Sequence, residues 1–569
     1  MVADREFIAT DSATDSASAD VASAAQAALA KAAARGTKHA NLTAGAGVAA
    51  DPVTYLRRTW FDTFDWRLHK ANLTLERIEQ GRSKSVGGRL VLASHAGTGR
   101  PAQTELVAPI SADAPGSAVV RTAFPSDAVV PPGSMRIRLE PIVEMRALTP
   151  IITVRTVVRT LRVRNDDDKT VARVVVEHAV GNDVGGSGGF GCRVSVVACR
   201  GYDAEALATA RVIERLPGLA ATDTSVFAHA VAAIGRQPGD YSSKLDIALT
   251  VGMPTGYAMR RIMRALLDAA QRNVPGVLAD TDSEFLHDLR VAIRRGRSTL
   301  KVPGAALPAA QAAAAGAALK WLGDLTTPTR DLDVYLLGLD DLTSEVTTPG
   351  WAVSQLDPFR DFLAARRAKE QAALVRSLRA VRSRRAFDAW AAVSTGAELD
   401  DARDTTISEP VAPASEIVAK AAVLRAFKRV VKAGRSIDAG SPPTELHGLR
   451  KRCKELRYTL EIFAALHDPA AQRALVDDLK KLQDCLGEFQ DTDVQQHAIR
   501  QFAAQMLADD ASNPTTVDAV MAMGRLADRL GERQVIARDT FATLFDRFAG
   551  PQPRAHLAAL YERSTKAQP

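Results

Sequence analysis

HDLRVAIRRGRSTLKV (287–302) lies over HGLRKRCKELRYTLEI (447–462) at an offset of 160 residues, matching His287 with His447, Arg290 with Arg450, Arg294 with Lys454 and Arg297 with Arg457. The same offset lays LKWLGDLTTPTRDLDVYL (319–336) over LKKLQDCLGEFQDTDVQQ (479–496), so that Asp331 and Asp333 fall on Asp491 and Asp493. One offset serving separate motifs means that a single unit has been duplicated. Positions i, i+3, i+7 and i+10 share one stripe of a helix, so each copy sets a histidine and its cations along one face. Leu446, Leu449, Cys453, Leu456, Leu460 and Phe463 form an apolar stripe one position earlier, as a core-facing helix requires.

Cations packed within three turns repel one another, and helix formation gives no reason to gather them. A single basic helix is most simply a solvated face, but recurrence with the histidine in register favours a site for a polyanion. Lys454 and the arginines offer a mobile point charge and planar forks, a mixture suited to phosphate oxygens along a flexible chain. Cys453 and Cys485 fall on Ile293 and Leu325 at the same offset, which makes them core residues. Asp331, Asp333, Asp491 and Asp493 are expected at helix starts, capping backbone N–H groups or pairing with the arginine rows rather than holding a metal.

Further basic runs occupy 360–385, with Arg376 and Arg379, and 420–435, with Lys420, Lys428 and no acid. The net charge of +7 over 569 residues is modest, so basic function must sit in clusters such as these. An aromatic content of 5% leaves few platforms for stacking nucleic-acid bases, so binding there would be non-specific. Four cysteines without a CxxC pair give neither a disulfide framework nor a zinc spacing. The opening MVADREFIATDSATD puts acids where an export signal needs a basic segment and an apolar run, and Val302 to Leu319 is too rich in alanine, proline and glycine to span a membrane. A soluble, cytoplasmic protein is expected.

Residues 1–50, rich in Ala, Ser, Asp and Thr, read as a disordered tail with a transient helix near 20–34. From about 52 to 200 the texture is β-branched alternation: RLVLAS (89–94), MRIRLEPIV (135–143), ITVRTVVRTLRVR (152–164), TVARVVVEHAV (170–180) and CRVSVVACR (192–200) read as strands of a mainly antiparallel domain over 51–243. From 244 to 569 segments of helical period take over, giving repeat one at about 255–400 and repeat two at about 415–569. The fold class is α+β, multidomain.

The doubled His-x-x-Arg-x-x-x-Arg/Lys-x-x-Arg, with LRY at 456–458 and RDLDV at 330–334, closely resembles the conserved histidine α-helical domain family, CHAD. That resemblance implies two four-helix bundles related by pseudo-two-fold symmetry around a basic cavity for inorganic polyphosphate. By position, the cavity would draw on His287, Arg290, Arg294, Arg297, His447, Arg450, Lys454 and Arg457, with Arg260, Lys301, Arg376, Arg379, Lys420 and Lys428 as further contacts. Association with polyphosphate granules follows as an expectation.

TWFDTFDWRLHKANLTLERI (59–78) resembles the CYTH family, whose fold is a triphosphate tunnel or barrel, and RLEPIVEMRALTPIITVR (138–155) and PGDYSSKL (238–245) continue the likeness more loosely. That family's Glu-x-Glu-x-Lys opening strand does not occur before residue 60, and phosphoryl chemistry with Mg²⁺ or Mn²⁺ needs carboxylates to hold the metal. Arg77, Arg146 and Arg155 would then remain as phosphate contacts in a domain without activity. The expected function is non-enzymatic polyphosphate binding; the rivals are a metal-dependent triphosphatase and non-specific nucleic-acid binding.

Overall fold

A computed structural model describes residues 5–9, 15–35, 47–81, 88–94, 103–110, 129–183, 190–242, 247–302, 304, 306–344, 353–395 and 413–561. The chain divides into two compact units, 1–242 and 243–569.

In the first unit the elements run β1 (Arg5–Ala9), α1 (Asp15–Arg35), β2 (Val48–Ala50), β3 (Thr54–Asp62), α2 (Arg67–Lys70), β4 (Leu73–Gln80), β5 (Gly88–Ser94), β6 (Gln103–Ile110), α3 (Ser134–Val143), β7 (Thr149–Arg164), β8 (Thr170–Asn182), β9 (Cys192–Ala198), α4 (Asp203–Glu214), β10 (Leu219–Ala221) and α5 (Val226–Ala233). The strands build one antiparallel sheet in the order β10-β1-β9-β8-β7-β3-β4-β5-β6, with β2 paired to β7. Among the described residues β10 and β6 do not pair with each other, so the sheet is open where a closed barrel was expected.

Two further stretches differ from what their residues suggest. MRIRLEPIV is helix, not strand: Met135, Leu139 and Val143 are its buried residues, four apart, so the apolar period is that of a helix turn against the sheet. The stretch 1–50 is not wholly a tail, since β1 sits between β9 and β10 and α1 packs on β8 and α4, while residues 1–4, 10–14 and 36–46 lie outside the described ones. Its composition misled because alanine counts as weakly apolar. Ala22, Ala25, Leu29 and Ala33 form one buried stripe; their small side chains let the helix backbone approach closely, and alanine costs least to hold helical.

In the second unit the helices are α6 (Thr255–Ala279), α7 (Ser283–Thr299), α8 (Ala309–Ser344), α9 (Asp357–Arg379), α10 (Val381–Ser394), α11 (Ser415–Gly434), α12 (Pro443–Ile462), α13 (Pro469–Asp510), α14 (Pro514–Ala549) and α15 (Pro551–Ala559). The starts of α6, α7 and α8 recur 160 residues later in α11, α12 and α13. At the head of the first pair, Thr255 N–H donates to Pro413 O (3.3 Å) and Ser415 N–H to Met253 O (2.9 Å), an exchange between positions that the repeat makes equivalent. Within repeat two, α11, α12, α13 and α14 share a core of Phe427, Leu449, Leu456, Leu482 and Phe541. The distal parts of α8 and α13 meet in a second core, where Leu339 and Phe359 of one repeat pack with Phe502 and Met523 of the other.

Gly434 marks the tightest approach in repeat two: a Cβ there would run into the Phe545 ring, which is itself buried. Gly434→Ala should therefore cost about 1–3 kcal/mol through overpacking, read as a lower denaturant midpoint; an unchanged midpoint would show that this approach is not tight.

Candidate functional site

The rows of cations sit on α7 and α12, which pack against each other. The Asp282 side chain caps α7 by accepting from Glu284 N–H (2.9 Å) and Phe285 N–H (3.2 Å), and Pro443 opens α12 where a missing N–H costs nothing. Leu286, Leu289 and Ile293 are buried on α7, as are Leu449, Cys453 and Leu456 on α12. Each cation lies one position after a buried residue and is itself half-buried.

Between the two helices and α13 opens a cleft of about 780 Å³, lined by His287, Arg294, Arg295, Arg450, Lys454, Arg457, Tyr458, Glu461, Gln483 and Asp491 among others. Arg294 and Lys454 occupy equivalent places in the two repeats. Among the described residues neither head group has a hydrogen-bond or ion-pair partner. Arg290 is bonded only to neutral oxygens: Gly323 O (3.2 Å), Thr326 Oγ1 (3.0 Å) and Thr327 Oγ1 (2.8 Å). Loss of water first, then Arg294, push its guanidinium down to about 10, with Asp331 pulling the other way and Arg330 adding the smallest push. Burial first, then Arg450 and Arg294, push the Lys454 ammonium down to about 8. These cations cost free energy as they stand, and an anion among them would relieve it.

Arg295, Arg450 and Arg457, which also line the cleft, are neutralised. Arg450 donates to both oxygens of Asp491 at 3.0 Å, and Arg457 Nε donates to Glu461 Oε1 at 2.8 Å. Glu461 Oε2 also accepts from Arg295 Nη2 (2.6 Å), so one carboxylate joins the two repeats. Asp331 and Asp491 lie inside α8 and α13, not at helix starts, which corrects the capping expectation; pairing with arginine is what Asp491 does, and Asp333 does the same with Arg367 (2.8 Å).

The histidines hold equivalent positions with opposite polarity. Arg330 Nη2 donates to His287 Nδ1 (3.1 Å), while His447 Nδ1 donates to Gln490 Oε1 (2.5 Å), residues 330 and 490 being equivalent. His287 lines the cleft, and the contacts given for His447 are to α13. Arg297 lies over Gly323 of α8, and Lys301 is exposed beyond the end of α7. Arg260 on α6, Arg376 and Arg379 near the end of α9, and Lys420 and Lys428 on α11 do not line the cleft. Lys420 stands over the Tyr561 ring (5.4 Å), and Lys428 belongs to an outer row with Arg425, Arg429 and Lys432. Cys453 is buried and Cys485 half-buried, their thiols pushed up by burial to about 12 and 11, which suits structural residues.

Sequence reasoning passed over Arg295 and Glu461. Glu461 stands four residues after Arg457, a spacing that pairs on a helix, but its second bond crosses between repeats and leaves no trace in either.

In the sheet unit, Arg77 lies over the Phe61 ring (5.6 Å) and beside Glu79 (3.6 Å), Arg146 is 1% exposed beside Asp65 (3.7 Å), and Arg155 is exposed opposite Arg57. Arg58 binds Glu177 (2.7 Å) and Glu76, so those carboxylates are engaged. Buried Asp62 accepts N–H bonds from Thr63, Leu68 and His69, and loss of water pushes its carboxyl up to about 6.

The helical unit is thus a duplicated fold that sets cations of both repeats in one shared cleft. Residues 261–500 match the family model of the CHAD domain, so the helical unit contains a CHAD domain. The uncharacterized protein Rv2226 of Mycobacterium tuberculosis is 31% identical over 240 residues, 40% of this chain; the match spans only 42% of that relative. Among solved structures, the CHAD domain of the plant Ricinus communis is 23% identical, covering 56% of this chain and 96% of that one with a TM-score of 0.43. PptA from Streptomyces chartreusis is 17% identical, covering 52% of this chain and 100% of that one with a TM-score of 0.39. Among the described residues no helix is long and apolar enough to cross a membrane.

Lys454 gives a pH signature. Its folded value of about 8 lies below the ordinary 10.5, so below pH 8 both folded and unfolded chains carry the proton and the penalty is fully present. Between 8 and 10.5 the unfolded chain holds more protons, and stability rises with pH. Thermal melts without added polyanion should show wild type gaining on Lys454→Met across that window; parallel profiles would contradict the assignment.

Proposed function

We propose that the CHAD domain binds inorganic polyphosphate, without chemistry, in the cleft between α7, α12 and α13. The observation that carries this reading is the pair Arg294 and Lys454: equivalent cations from the two repeats, half-buried, without protein partners and close enough to depress the Lys454 ammonium. A structural role gives no reason to gather them, whereas a chain of phosphates offers each a charge-assisted hydrogen bond. The reading takes the repeats as two four-helix bundles related by a pseudo-two-fold axis, which the reciprocal bonds of Thr255 and Ser415 support. A soluble, cytoplasmic protein that associates with polyphosphate granules fits this function.

The sheet unit is read as a divergent CYTH-like, tunnel-like domain that does not hydrolyse phosphate. The engagement of Glu76 and Glu177 by Arg58 supports this, since a metal-dependent triphosphatase needs carboxylates free for its ion.

The pair offers a test in which function and stability move in opposite directions. Arg294→Gln with Lys454→Gln removes mutual repulsion and should leave the protein at least as stable, with polyphosphate affinity lowered ten-fold or more and a shallower salt dependence. Calorimetric titration at two salt concentrations, with thermal melts, reads both. Full affinity in the double variant would remove the site from this cleft.

A further inference from the structure

The cleft holds both open and paired cations. Arg294 and Lys454, which line it, have no ion-pair partner among the described residues, while Arg450 beside them is paired with Asp491 (3.0 Å). Seven residues beyond Lys454, about 10 Å along the helix axis, Glu461 takes up two guanidinium groups, one from each repeat. Its Oε1 accepts from Arg457 Nε (2.8 Å), and its Oε2 from Arg295 Nε (3.0 Å) and Nη2 (2.6 Å). The Glu461 side chain is 18% exposed and forms part of the cleft wall. The repeat shows that this acid is no requirement of the helix, for the equivalent position in the first copy is Lys301.

We infer that Glu461 is a specificity-determining residue of the cleft: its carboxylate stands between Arg295 and Arg457 in the place of a phosphate group, and so limits how far along the cleft a phosphate chain can extend. This rests on the polyanion reading of the site. A guanidinium fork accepts carboxylate and phosphate in the same bidentate geometry, so either can fill the position. A small anion seated at Arg294 and Lys454 never meets Glu461. A chain that continues past Lys454 brings its next units to Arg457 and Arg295 at high effective concentration, but must displace the carboxylate first. The cost of displacement therefore falls on long ligands alone.

The neighbouring acid supplies a control. Glu455 lies on the same helix and pairs with Arg429 (3.3 Å), which lines the outer groove of α11 and not the cleft. The experiment compares wild type, Glu461→Gln and Glu455→Gln by calorimetric titration with orthophosphate and with long-chain polyphosphate at two salt concentrations. Glu461→Gln should bind the long chain about ten-fold more tightly, with a steeper salt dependence, while its orthophosphate affinity stays within about two-fold and Glu455→Gln behaves as wild type. Equal tightening for both ligands, the same gain in Glu455→Gln, or no gain at all overturns the inference. Should Glu461→Gln fail to fold, Arg295→Gln with Glu461→Gln replaces it, with Arg295→Gln alone as the reference. Failure of every protein, wild type included, to bind the long chain rejects the polyanion reading itself and is distinguishable from the other results.

Discussion

The repulsion between Arg294 and Lys454 across the contact of α7 and α12 is the constraint around which the helical unit is arranged. Two helices that carry like charges on facing rims do not stay together on electrostatics. What holds them is the buried stripe beside each row, together with the Glu461 carboxylate shared by Arg295 and Arg457. The cores under the cleft supply the stability that the cleft itself gives up, a usual relation between a rigid scaffold and a strained site.

Duplication explains how such a site arises from modest means. One helix bearing four cations would present a solvated face of little consequence. Two copies brought together turn that face inward from both sides, so Arg290 and Lys454 lose water and gain like-charged neighbours without any new residue type. The copies then diverge where symmetry is not needed. Arg290 rests on threonines while Arg450 is neutralised by Asp491, and position 461 carries an acid where the first copy has Lys301. On α12 the open Lys454 therefore stands between two balanced cations, Arg450 on Asp491 and Arg457 on Glu461.

Much of the helical unit was legible in the sequence because the 160-residue register carries both core and cations: Cys453 and Ile293 occupy equivalent buried places, and the starts of α6, α7 and α8 recur in α11, α12 and α13. What local pattern could not supply was pairing at a distance. Nothing around Arg294 marks it as partnerless while Arg295, its neighbour, reaches across to Glu461. In the sheet unit the long strands β7 and β8 followed from β-branched alternation, whereas 135–143 hid a helix behind the same residue types, and α1 read as only a transient helix in a tail because alanine's worth lies in close packing, not in hydrophobicity. The open ends of the sheet were beyond reach of any strand pattern, since closure depends on how the edges curve.

In the proposed function, equivalent cations of the two repeats hold one phosphate chain between them. A crystal structure of the protein with tripolyphosphate tests it most directly. Phosphate oxygens are expected within hydrogen-bond distance of both the Arg294 guanidinium and the Lys454 ammonium; phosphate bound only along the outer row of Arg425, Lys428 and Lys432 on α11 would place the ligand elsewhere.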